Sequence, residues 1–307
     1  MSLRVVFLGT AGSIPTLQRG LPAIAVQRKG ELILFDCGEG VQRQMIRAGI
    51  GFHRKTKVFI THMHGDHVLG LPGLFQTMSL LDRKRKLDVY GPSGIGAFVE
   101  ATQRTVQFTQ TFPIEVFEIE DAGAVCKERE YKVHAIWVDH VIPSLAYALT
   151  EKPRPGKFYP EKARSLEVPE GPFWSKLQHG SAVELPNGRV VKPEEVLGSP
   201  RPGRKIVYTG DTRSVKNLAE FAENADLLIH DATFDDELWE RAREDGHSTP
   251  GQAAETARMA KAKRLVLTHI SARYKESSLL LEQAKKVFPR VDLAEDFVRI
   301  DLPLLDA

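Results

Sequence analysis

The sequence predicts an α/β protein in which mixed sheets form the core, helices pack outside them, and one arm is inserted in the middle of the chain. Three observations carry that reading: β-branched runs crowd the first half of the 307 residues, strands alternate with helical patterns in the last third, and a proline-rich stretch separates the two.

Runs bounded by Gly, Pro or Asp read as strands at 3–8, 23–27, 32–35, 57–60, 87–90, 114–119, 131–138 and 145–150. Later runs at 205–209, 227–230, 264–268 and 297–300 alternate with helical periodicity at 214–223, 235–243, 249–261 and 277–288. Early clustering is not the steady βαβα rhythm of a doubly wound sheet and suits mixed sheets instead. The segment 151–205 holds nine of the 18 prolines and eleven Lys or Arg against seven Asp or Glu, with little apolar periodicity. At 55 residues with few large apolar side chains, it is expected to bury no core of its own and to form an extended arm within a single domain 1–307. Phe158, Tyr159, Phe173 and Trp174 supply aromatic contacts that a disordered linker would not need.

Hydrophobic residues at 42% and charged residues at 27% are ordinary for a globular chain. A formal charge of +2 leaves no global field to attract a polyanion, so affinity for nucleic acid has to come from local patches. The longest run free of Asp, Glu, Lys and Arg, 67–81, contains Pro72 and is shorter than the ~20 residues that span a bilayer, so no membrane partner is expected. Met1 leads directly into a strand-like run without a leader pattern, and a cytoplasmic location is the expectation. Cys37 and Cys126 are too few and too isolated for a thiolate zinc site, so a metal here needs nitrogen and oxygen donors.

Such donors are concentrated in Thr61-His62-Met63-His64-Gly65-Asp66-His67, directly after the strand-like 57–60. At a strand end, His62 and His64 point to one side, and Gly65 lets the chain turn so that Asp66 and His67 face the same space. A lone histidine there is more often a hydrogen-bonded surface or core residue. Three imidazoles and a carboxylate crowded together without a cation, however, leave polar groups hard to satisfy. Further donors stand at other strand ends: His140 after 131–139, Asp211 after 205–210, and His269 after 264–268. His134 lies six residues before His140, ~20 Å away at strand rise, and reads as structural. His247, ahead of a helix capped by Ser248 or Thr249 with Pro250 in its first turn, is not needed as a ligand. Near the metals it is a natural proton donor.

The pattern resembles the metallo-β-lactamase superfamily, whose signature is His-x-His-x-Asp-His with later His, Asp and His ligands. Within it the chain is similar to the ribonuclease Z family of tRNA 3′-processing endonucleases. The residues carrying the narrower resemblance are residues 9–16, Asp36-Cys37-Gly38-Glu39-Gly40, the stretch 61–67, Thr209-Gly210-Asp211-Thr212, His230-Asp231-Ala232-Thr233 and His247-Ser248-Thr249. Asp231 stands where the family usually has Glu, and Arg19-Gly20 where it often has Arg-Asn. The resemblance implies a four-layer αβ/βα sandwich with a flexible tRNA-gripping arm that carries Gly171-Pro172. It implies two zinc ions, one held by His62, His64 and His140, the other by Asp66, His67 and His269, with Asp211 bridging. It also implies that Asp66 handles the attacking water, that His247, supported by Asp231 and the adjoining His230, protonates the leaving oxygen, and that the protein is a homodimer.

The metal site alone says hydrolase and no more, because one fold serves many substrates. A basic arm favours precursor tRNA, whose phosphates Lys152, Arg154, Lys157, Lys162, Arg164 and Lys176 would grip, with Arg83-Lys84-Arg85-Lys86 as a second run. The expected activity is removal of the 3′ trailer, leaving a 3′-hydroxyl on the tRNA and a 5′-phosphate on the trailer. Hydrolysis of small phosphodiesters is the alternative enzyme reading; RNA binding around a structural metal is the non-enzymatic one.

Overall fold

The computed structural model describes residues 3–304, so Met1, where the leader reading starts, and the last residues of the expected 1–307 domain lie outside the described residues. The described chain divides into two compact units, one of residues 3–150 with 205–303 and one built on residues 151–204.

The larger unit contains two seven-stranded sheets. In the first, Arg299–Leu302, Leu3–Gly9, Ala23–Arg28, Glu31–Phe35, Lys55–Phe59, Leu87–Gly91 and Ile114–Glu118 lie side by side in that order. The four from Glu31–Phe35 onward run parallel. The second runs Val291–Leu293, Leu265–Thr268, Leu227–Asp231, Lys205–Tyr208, Ser144–Glu151, Tyr131–Val138 and Gly123–Lys127, its first four parallel. The strand period of two sorts the side chains. Val5, Phe7, Phe35 and Phe59 join Tyr147, Ile206 and Tyr208 in a core between the sheets. Val6, Leu8 and Leu34 face the other way, against the helices Val41–Arg47, Gly70–Leu80 and Ile95–Thr105. Val207, Leu228 and Leu267 likewise pack on the alanine-rich helix Pro250–Met259 and on Ser278–Lys285. The layers are therefore helix, sheet, sheet, helix, as expected of the resemblance.

Three hydrogen bonds cross from the second sheet to the first beneath one edge. The Tyr147 hydroxyl donates to the Ile60 carbonyl at 2.7 Å, the Tyr208 hydroxyl to Asp36 at 2.8 Å, and the Leu145 N–H to the Thr61 carbonyl at 2.9 Å. They fasten the carboxyl ends of the parallel strands, where open α/β sheets place their functional groups. One strand departs from expectation: the last edge strand is Arg299–Leu302, two residues later than the run 297–300, because Phe297 turns the chain with φ 70°.

The smaller unit corrects the expectation of an arm without a core. Ala163, Val168, Leu177, Val183, Leu185, Val191 and Val196 are buried together, with Phe158, Phe173 and Trp174 packed against them. They come from three short helices, Pro160–Ser165, Pro172–Gln178 and Pro193–Val196, a two-stranded ribbon, Val183–Glu184 with Val190–Val191, and the connecting segments that hold Phe158, Val168 and Leu185. The helices are four to seven residues long, too short for a periodicity to announce the core. Proline supplies the first turn of every one. The unit ends at Arg204, whose guanidinium forks onto Glu151 at 2.7 and 3.0 Å; Lys205 already belongs to a strand. Among the described residues no helix is long and apolar enough to cross a membrane.

Candidate metal centre

The strand Lys55–Phe59 leads into the histidine stretch, His64 is extended, and Gly65–Val68 makes one helical turn with Asp66 at its start. Asp36, at the end of the neighbouring strand, adopts φ 59° and turns its buried carboxylate under this stretch. That carboxylate accepts from the Thr61 N–H (2.8 Å), the Thr61 hydroxyl (3.0 Å) and the Tyr208 hydroxyl (2.8 Å), and lies 2.7 Å from His67 Nδ1.

Four histidines are oriented through Nδ1. His62 Nδ1 is 2.9 Å from Thr61 Oγ1, His67 Nδ1 is paired with Asp36, His140 Nδ1 donates to the Gly246 carbonyl at 2.7 Å, and His269 Nδ1 is 2.8 Å from Thr233 Oγ1. An Nδ1 proton committed to an oxygen leaves the Nε2 lone pair free to bind a cation. Gly246 has φ 83°, and a Cβ there would lie 2.5 Å from His140 Nδ1, so only glycine lets its carbonyl come so near.

The Nε2 atoms of His62 and His140 lie 3.0 and 3.3 Å from Nδ1 of His64, three ring nitrogens around one point. Asp66 Oδ2 lies 3.4 Å from His67 Nε2 and 3.5 Å from His269 Nε2, a second group. Asp211 Oδ2 stands between them, 3.7 Å from His62 Nε2, 3.3 Å from His67 Nε2 and 3.2 Å from His269 Nε2. Ligand atoms of His62, His64, His140 and Asp211 all fall within 4.8 Å of one another, as do those of Asp66, His67 and His269. The buried atoms His67 Nε2, His269 Nε2 and Asp211 Oδ1 have no hydrogen-bond partner, an arrangement that a bound cation would relieve. Nitrogen and oxygen donors in this number suit zinc; Cys37 and Cys126 are buried free thiols and take no part.

Electrostatics separates the groups. Burial, reinforced by neighbouring histidines, holds the imidazoles of His62, His64 and His140 below their ordinary pKa, and therefore neutral and able to ligate. Burial raises the carboxyl of Asp211, but His269 and His67 outweigh it and keep the group ionised. Asp66 is likewise held below the carboxylate range, burial being overcome by His269 and His67. At His67, burial opposes the charge while Asp211 and Asp36 win and lift the pKa.

His247 sits beside both groups, its ring 5.1 Å from those of His140 and His269. Nδ1 is 2.8 Å from Asp231 Oδ2, and Asp231 is itself held by the Thr233 hydroxyl at 2.6 Å and by the Thr212 N–H at 3.2 Å. Burial disfavours the imidazolium, yet the Asp231 carboxylate raises the pKa to about 9. Thr249 caps the following helix and Pro250 opens it, as expected. A cavity of about 530 Å³ adjoins His247, lined in part by Ser13, Ile14, Phe234 and Arg273.

Not every candidate reaches this place. His134 lies on the strand Tyr131–Val138, in none of the groups. His230 is fully buried, with Nδ1 2.9 Å from the Asp231 carbonyl and burial keeping it neutral; it too joins no group. Arg83 does not offer its charge to solvent: it is buried and donates to the carbonyls of Phe52, Arg54, Arg85 and Lys86, while Lys86 pairs with Glu115. On the smaller unit, Lys152, Lys157, Lys162, Arg164, Gly171, Pro172 and Lys176 are exposed and Arg154 half-buried. Gly171, at φ 100°, starts the helix Pro172–Gln178. Sequence reasoning missed Asp36, Thr61 and Thr233 as positioning groups. Asp36 carried the available signal, an acid just past a buried strand, like Asp211.

Comparison with known proteins supports the same reading. A profile for a Beta-lactamase superfamily domain matches residues 176–270, and one for the anti-Pycsar protein Apyc1 matches residues 3–102. The chain is 49% identical to a Ribonuclease Z of Methanosarcina acetivorans over 98% of both chains. It is 47% identical to that of Haloferax volcanii over 100% of this chain and 97% of the relative. The crystal structure of the short form of human tRNase Z superimposes with a TM-score of 0.72 at 33% identity, covering 98% of this chain and 99% of the other. The Bacillus subtilis metallo-β-lactamase fold protein YhfI, at 20% identity and TM-score 0.70 over 98% and 100% of the two chains, shares the fold. With that fold, that donor set and full-length relatives at this identity, the chain belongs to the ribonuclease Z family.

Proposed function

We infer that the protein is a metal-dependent endoribonuclease that removes the 3′ trailer of precursor tRNA. The observation carrying this is the joining of two ligand groups through Asp211, with the His247–Asp231 pair alongside, in a chain whose full-length relatives are ribonucleases Z.

We propose two zinc ions, one on His62, His64 and His140, the other on Asp66, His67 and His269, with Asp211 shared. Zinc bound there supplies Lewis acidity that eases ionisation of water and offsets charge on the phosphate during in-line displacement. Asp66, itself one of the second group, orients the attacking water and takes its proton. Water oxygen bonds to phosphorus as the bond to the ribose oxygen breaks. His247, its Nδ1 committed to Asp231, delivers a proton from Nε2 to that departing oxygen. The tRNA keeps a 3′-hydroxyl and the trailer a 5′-phosphate.

The exposed cations Lys152, Lys157, Lys162, Arg164 and Lys176, with Arg154 and the Gly171-Pro172 turn, are proposed to grip the tRNA away from the cut. The cavity beside His247 is proposed to seat a nucleotide flanking the scissile phosphate, with Arg273 facing it. The family resemblance supports a cytoplasmic homodimer, which sedimentation analysis checks.

Zinc-loaded protein incubated with precursors that carry trailers and no encoded CCA should cut once, and end mapping should find the two termini named above; parallel precursors with an encoded CCA show whether that end is cut or spared. Intact precursor in every reaction overturns the assignment. Turnover of small phosphodiesters alone would favour the alternative substrate class.

A further inference from the structure

We infer that Asp296 and Arg19 form a positioning clamp for one of the two ligand groups, that of Asp66, His67 and His269, and do not act on the three-histidine group. The inference rests on the metal reading of the site, not on the RNA reading.

The segment 10–13 touches two of the three residues of that group. Thr10 O accepts from the Ile270 N–H at 2.9 Å, immediately after His269, and Ala11 and Gly12 pair with Ile270 and Ser271 in a parallel ribbon. A Cβ on Gly12 would lie 2.8 Å from His269 Nδ1, so the chain passes directly against the imidazole. One residue on, the Ser13 N–H donates to Asp66 Oδ2 at 3.0 Å. His269 needs such support: its φ of 61° is a left-handed conformation that a residue with a Cβ adopts only when its surroundings impose it.

What holds the segment is a network at the base of the loop that follows. The Asp296 carboxylate accepts from the Thr10 hydroxyl (2.8 Å), the Gly20 N–H (2.7 Å) and Gln44 Nε2 (2.8 Å). Arg19 Nη1 donates to the same Thr10 hydroxyl at 2.6 Å and to the Ala294 carbonyl at 2.5 Å. The Ala11 N–H closes the loop onto the Gly20 carbonyl at 2.9 Å. The tip buries little apolar surface, Ile14 being 63% and Leu17 98% exposed, and its own closure, the Thr16 N–H on the Arg19 carbonyl at 2.9 Å, leads back to Arg19 at the base. Order at Ser13 therefore comes from the base. His62 and His140 are fixed by Thr61 and Gly246 instead, neither of which belongs to this network.

The test is chelator competition on zinc-loaded protein, counting ions released, for the unaltered chain and for Asp296→Asn, Asp296→Ala and Thr10→Val. The last removes the hydroxyl shared by Arg19 and Asp296 and covers the case in which an Asp296 variant fails to fold. Expected is release of one ion at ~10-fold or more lower chelator concentration, as for other groups that orient ligands, with the second ion released as in the unaltered protein. Parallel release of both ions, or no shift in any folded variant, overturns the clamp. Fewer than two ions on the unaltered chain overturns the two-group reading itself, and the clamp with it.

Discussion

At the metal centre His62, His67 and His269 are buried, and each is held through Nδ1 by an oxygen that is itself hydrogen-bonded, whereas on the smaller unit Lys152, Lys157 and Lys176 stand in solvent. The first arrangement fixes these donors before any ligand arrives, which is what metal chemistry requires. The second leaves long charged chains free to meet a polyanion whose contacts need position but little geometry. Damage should therefore be concentrated and nearly complete at one region, graded and additive at the other.

The sharpest break in that comparison is Asp211→Ala. Its carboxylate stands between both groups, so its removal leaves two incomplete shells at once. Cleavage should fall by roughly 10⁴-fold or more, because residues that act as a unit fail together. Precursor binding, measured by filter retention, should stay within a few-fold; loss of binding in step with cleavage would place the recognition machinery at the metals.

The complementary variant removes residues 151–204 and joins Thr150 to Lys205 through a short turn, which their pairing in adjacent strands permits. Here KM for precursor should rise ~10²-fold as the phosphate contacts are lost, while turnover of a small phosphodiester stays within about two-fold. Equal loss on both substrates would show that the unit serves the chemistry.

How much of this was legible in the sequence differs between the regions for a physical reason. The larger unit declared itself because strands of sheets covered on both faces read as short continuous apolar runs bounded by turn residues, and because His140, Asp211 and His269 each follow such a run. Asp36 and Thr233 escaped because they act on other side chains, through contacts 31 and 36 residues apart in sequence. The core of the smaller unit escaped because Leu177, Val191 and Val196 come from separate short elements and Val168 from a connecting segment, so they share no period. Arg83 misled: four adjacent basic residues look alike in sequence, yet one of them serves the backbone.

A smaller effect tests how firmly the centre is held without metal. In the metal-free chain Asp231 raises the His247 pKa to about 9, above its ordinary ~6.5, despite burial. The folded state thus binds the proton more tightly than the unfolded one. The pair's contribution to stability is fully present below ~6.5 and is lost as pH rises through about 9. Thermal unfolding of metal-free protein from pH 6 to 10 should show the gap between the unaltered chain and His247→Gln narrowing over that window. A gap that widens with pH would reverse the assigned protonation.

The smallest effects separate two residues that composition treats alike. Lys157 is exposed, so Lys157→Ala should weaken precursor binding by a few-fold, equally for all sequences, and reduce the slope of log K against log salt by about 0.7 to 0.9. Stability should not move, since an exposed lysine leaves nothing unsatisfied behind it. Arg83→Ala should do the opposite. Its guanidinium donates to the carbonyls of Arg54, Arg85 and Lys86 at 2.9, 2.6 and 2.8 Å, and truncation strands those acceptors in a buried site. The melting temperature should drop while the salt slope stays unchanged. If Arg83→Ala instead alters the salt slope at constant stability, the basic run 83–86 contacts RNA after all, and binding is shared between the two units rather than concentrated on one.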